Sequence, residues 1–138
     1  MTPDSSSTAK KSYRAGDTVT TKLTLKPGNA VPQQAIAYFG SNQVPAPYDP
    51  NRAYSFSINA YGIVAPPAGQ PLVLTLAGII PHHIVGGTYK PNSITFYVPD
   101  AQPISDPNPD PDGDLIITVI DDPATPASKP VIQDFDLV

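Results

Sequence analysis

The stretch Asp106-Pro107-Asn108-Pro109-Asp110-Pro111-Asp112-Gly113-Asp114 places oxygen donors at nearly every second residue. Calcium needs several hard oxygen ligands at close range, and carboxylates at alternate positions can supply them from one loop. With Asn108 as the first ligand, Asp110 and Asp112 fall third and fifth, Gly113 sixth and Asp114 seventh, as in a helix-flanked calcium loop. The twelfth position, where a bidentate acid belongs, is Val119, and the residues from Leu115 onward read as strand. The same run also reads as an extended, polyproline-like connector closed by an Asp112-Gly113 turn. Asn108, Asp110, Asp112 and Asp114 are therefore the candidate calcium ligands, and calcium is the one cofactor suggested; the connector is the expected state.

Other reactive side chains lack the company that catalysis needs. His82 and His83 are adjacent, and neighbours on a strand point to opposite faces, so two polar residues on a corner after Pro81 are expected. No nucleophile context such as Gly-x-Ser-x-Gly accompanies them. Asp121 and Asp122 could in principle act as a glycosidase pair, but beside Pro123 they read as the turn that ends a strand. Of the seven tyrosines, Tyr38, Tyr48, Tyr61 and Tyr97 are left outward or on loops by alternation, where rings could stack on a glycan or on a partner's apolar groups. No enzyme is expected.

Strands must carry these residues. In Thr18–Leu25, Val19, Thr21, Leu23 and Leu25 share one face, and threonines and Lys22 take the other. Similar alternation predicts strands over 35–39, 53–61, 72–77, 93–98 and 131–138. A strand over 115–120 is apolar on both faces and is expected to be covered on both. Pro27-Gly28-Asn29 and Pro66-Pro67-Ala68-Gly69 are turns, and Pro45, Pro47 and Pro50 confine 44–50 to an edge or loop. The expected core gathers Val19, Leu23, Leu25, Phe56, Ile58, Leu74, Ile94, Phe96, Ile117 and Val119. Residues 1–10 read as a disordered polar lead-in, and 11–138 as a single domain with a Pro/Asp-rich loop at 99–114.

Composition agrees. All twelve acids are Asp, and Glu, a helix former, is absent; 19 prolines punctuate the chain. There is no Cys, so neither a disulfide nor a thiolate zinc site supports the fold. Residues 1–99 carry seven Lys and Arg against three Asp, whereas 100–138 carry nine Asp against Lys129 alone. That asymmetry argues against nucleic acid as a partner of the C-terminal part. The longest apolar run, residues 72–80, is too short to cross a bilayer, so no membrane insertion is expected. Met1 is followed by polar residues and not by an apolar signal core, which leaves the compartment open.

About seven strands separated by turn signals suggest a two-sheet antiparallel sandwich. Gly87-Thr88-Tyr89 before Ser93-Ile94-Thr95-Phe96 resembles the tyrosine corner of immunoglobulin-like sandwiches, and Ala15-Gly16-Asp17-Thr18-Val19 resembles the opening of an early strand in bacterial modules of that kind. The resemblance spans 12–121 and departs from antibody domains in lacking a Cys pair and any Trp. It implies an immunoglobulin-like fold and a non-catalytic structural or interaction module with a protein or glycan partner, in a secreted or cell-surface setting. Two alternatives stay open: a calcium-dependent or glycan-binding module, and a self-assembling subunit that pairs through an edge strand.

Overall fold

The computed structural model describes residues 12–27, 30–41, 48–123 and 131–138. The expected lead-in at 1–10, the Gly28-Asn29 half of the first turn, and Pro45 and Pro47 lie outside them. Seven strands follow in chain order: β1 (Thr18–Leu25), β2 (Gln34–Ser41), β3 (Ser55–Tyr61), β4 (Leu72–Ile79), β5 (Gly87–Tyr97), β6 (Ile104–Asp106) and β7 (Ile117–Val119). No helix occurs among the described residues. All ladders between the strands are antiparallel and join into one sheet of order β1-β4-β3-β2-β5-β6, with β7 also on β5. The sheet curls into a half-barrel.

Alternation fixes the inner face. Leu72, Leu74 and Leu76 of β4 are buried while Val73, Thr75 and Ala77 face water, and Phe56, Ile58 and Ala60 of β3 point inward with them. Phe39 of β2 stacks on Phe56 with ring centroids 5.1 Å apart. On β5 the inward positions change parity: Tyr89 and Ile94 are both buried although they are five positions apart, an odd step. The cause is a β-bulge. Tyr38 pairs with Ser93 but Phe39 pairs with Pro91, so Asn92 is the extra residue that resets the alternation. Pro91 is tolerated beside this irregularity.

The curl brings the two ends of the sheet together at one rim. The Tyr13 N–H donates to the Thr118 carbonyl at 2.8 Å, and the Ile120 N–H donates to the Tyr13 carbonyl at 2.8 Å. This parallel bridge stitches the lead into β1 against β7. Further along, β1 and β6 stay apart, and among the described residues no strand pairs with the second edge of either.

Six of the ten expected core residues are buried; Leu23, Leu25, Phe96 and Ile117 are half-buried and pack against the core from its rim. Two strand expectations need correction. In the segment 115–120 only Ile117–Val119 is strand, and Leu115 and Ile116, just ahead of it, are exposed. Residues 131–138 form no strand at all; their apolar side chains lie in water, from Ile132 at 75% to Val138 at 128% of the reference exposure. A strand needs a neighbour to satisfy its backbone, and this segment has none among the described residues.

Candidate functional site

Tyr89 anchors the closed rim. Its ring is fully buried against Phe56, and its hydroxyl donates to the Val85 carbonyl at 2.6 Å, four residues upstream. Burial pushes the phenol up to about 12. This is the corner geometry expected from Gly87-Thr88-Tyr89.

Around it a polar clamp ties three segments together. An Asp49 turn, in which Asn51 N–H donates to Asp49 Oδ1 and Arg52 N–H to the Asp49 carbonyl, aims Arg52 at the loop after β4. The Arg52 guanidinium donates to the His83 carbonyl (3.1 Å), the Ile84 carbonyl (3.0 Å) and Asp121 Oδ1 (2.7 Å). Gly86 N–H donates to the same Asp121 oxygen at 2.8 Å. His83 N–H donates to Asp122 Oδ2 at 2.9 Å from a left-handed backbone, φ 64°. Gly86 has no room for a side chain, since a Cβ there would sit 2.8 Å from the Asp121 backbone nitrogen. The Gly86 amide, and then Arg52, hold Asp121 below the usual carboxylate range. A general acid needs the opposite shift; Asp121 stands here as a carboxylate that ties loops together. The two histidine rings lie 6.1 Å apart, and the exposed His82 ring reaches the clamp's edge with Nδ1 3.7 Å from Asp122 Oδ2.

The four candidate calcium ligands lie between β6 and β7. The carbonyl of Asp110 accepts from Gly113 N–H at 3.0 Å, and its Oδ2 accepts from Leu115 N–H at 2.8 Å, which makes 110–113 a turn with Gly113 at φ 73°. Asn108 N–H donates to Asp106 Oδ1 at 2.9 Å. Asn108, Asp112 and Asp114 are exposed, and Asp110 is half-buried. Among the described residues no three of His, Cys, Asp or Glu gather in a group able to hold a metal ion.

Three of the four expected outward tyrosines share the outer face of β3-β2-β5. Tyr61 and Tyr97 are both in register with Gln34, and Tyr38 follows on the same face of β2. Over β2, β3 and residues 93–97 that surface carries no charged side chain. Tyr48 is elsewhere, stacked on Tyr54 at 4.9 Å.

The least complete part of the fold is the seam between β1 and β6. One apolar cavity of about 150 Å³ opens between Leu23 on β1 and Ile94, Pro109 and Leu115 opposite; a second, of about 230 Å³, lies between Leu25 and Phe96, Val98 and Ile104. The acidic connector thus forms part of the far wall. Alternation on β1 marks its inward residues, but no reading of one strand reveals that its other edge lacks a neighbouring strand among the described residues. Arg52 was equally hidden, since its carboxylate partner is 69 residues away.

No protein-family model, no curated protein and no solved structure matches the chain significantly.

Proposed function

We propose that this chain is a non-catalytic structural or interaction module of immunoglobulin-like type, and that it receives a partner strand along the open edge of β1. The observation that carries this reading is the seam: an eight-residue edge without a neighbouring strand among the described residues, over two apolar cavities. Edge strands are ready templates for pairing, and backbone hydrogen bonds supply affinity while pockets for alternate side chains supply specificity.

The immunoglobulin-like part draws support from strand neighbours. With β1, β4 and β3 taken as strands B, E and D, and β2, β5 and β7 as C, F and G, the pairs B–E, E–D, C–F and F–G are all hydrogen-bonded. Tyr89 then stands near the start of strand F, where the tyrosine corner belongs. The departure is the β2–β3 ladder, which joins the two halves into one continuous sheet. A secreted or cell-surface setting goes with this reading.

Photo-crosslinking tests it. A photoreactive residue at Lys22 or Thr24, both exposed on β1, should give a defined protein adduct that the same residue at exposed Thr75 on β4 does not. Equal adducts at all three positions, or hydrolysis of ester or glycoside substrates in a turnover screen, would contradict it.

A second reading is favoured by the uncharged outer face carrying Tyr38, Tyr61 and Tyr97, whose rings and neighbouring amides suit a neutral glycan. Glycan-array binding that is lost in Tyr61→Ala and Tyr97→Ala would support it.

A further inference from the structure

We propose that the occupant of the β1 seam is residues 131–138 of a second copy of this chain, added as a strand beside β1. This rests on the reading of the seam as a docking edge and names what docks there.

Both halves of the fit are present in one chain. Residues 131–138 alternate, with Val131, Gln133, Phe135 and Leu137 on one face and Ile132, Asp134, Asp136 and Val138 on the other. Phe135 and Leu137 are almost wholly exposed, at 89% and 103%. The segment is eight residues long, as is β1. Phe135 and Leu137 are two residues apart on one face, and so are Leu23, which lines the first cavity beside Thr21 and Lys22, and Leu25, which lines the second. An apolar cavity of about 150 Å³ is large enough for a benzene-sized group. The ring of Phe135 and the side chain of Leu137 therefore suit the openings of about 150 and 230 Å³.

Charge decides the orientation of the fit. With Phe135 and Leu137 turned inward, Asp134 and Asp136 come to the outer face that carries Lys22, the only charged residue of β1. The opposite rim carries Asp106 and Asp110, which repel them. The added strand therefore pairs with β1 and not with β6. A second copy is the occupant because the chain leaves its own segment exposed, outside its own seam.

The test is sizing with light scattering on the full chain over a range of concentrations. The chain is expected to form dimers or larger species as concentration rises. Phe135→Asp with Leu137→Asp should abolish them and leave the circular dichroism unchanged, because neither side chain is buried in the single copy. Lys22→Glu should weaken assembly about two- to fivefold, and Asp134→Lys with Asp136→Lys should restore it in that background. A chain that stays monomeric at high micromolar concentration overturns the proposal, as does assembly unaffected by the Phe135 and Leu137 substitutions. A seam adduct with a different protein would keep the docking edge and still overturn this choice of occupant.

Discussion

Tyr89 holds the closed rim through one buried ring and one short hydrogen bond to Val85. Tyr89→Phe keeps the ring and strands the carbonyl, at an expected cost of about 0.5–1.5 kcal/mol in denaturant unfolding. Its ionisation adds a pH signature. The folded-state value of about 12 lies above the unfolded value of about 10, so the folded chain keeps a proton that the unfolded chain releases. This contribution is complete below about pH 10 and is lost as pH rises to about 12; Tyr89→Phe should flatten that part of the alkaline decline. Asp121 runs the other way. Held low by Gly86 and Arg52, it stabilises the fold above the unfolded value near 4, and the benefit fades as pH falls through its folded value. Asp121→Asn should melt earlier at neutral pH and lose less on acidification. For the acidic connector we expect no chelator-reversible shift in melting at millimolar calcium. Asp112→Ala should change stability by less than about 0.5 kcal/mol. Asp110→Ala should cost more, because it removes the bond to Leu115 N–H. The corner could be read from the chain because it is local: Gly86 and Gly87 sit just ahead of Tyr89. The clamp could not, because nothing near Arg52 in sequence announces Asp121.

At the scale of elements, alternation marked β1 to β5 but not their partners; it missed β6 inside the expected loop and suggested a strand at 131–138 that does not form. The bulge at Asn92 joins the corner and the strand at 93–98 into one eleven-residue β5, a continuity that the change of parity conceals. The run 115–120 looked doubly covered because it is apolar on both sides, yet its first residues remain exposed. Burial therefore separates residues that patterning treats alike. Phe39→Ala, at a fully enclosed ring, should cost about 3–5 kcal/mol, and Phe96→Ala, at the half-buried seam, roughly half as much. Gly78 allows β4 to lie close to β3, since a Cβ there would collide with the Ser57 carbonyl. Gly78→Ala should lower the melting temperature by forcing the two strands apart.

For the whole molecule, the acid-rich C-terminal part divides into distinct uses. Asp106 and Asp110 order the connector, Asp121 and Asp122 close one rim, and Asp134 and Asp136 lie on the exposed segment. One rim is hydrogen-bonded shut and the other is left open at β1. Amide hydrogen exchange tests that asymmetry directly. In dilute solution, the alternate amides of 20–25 that point away from β4 should exchange much faster than those of β2, which lies between β3 and β5. They should become protected when a partner strand fills the seam. Amides along β1 that are as protected as β2 in the dilute chain, and unchanged at any concentration or with any partner, would contradict the open edge.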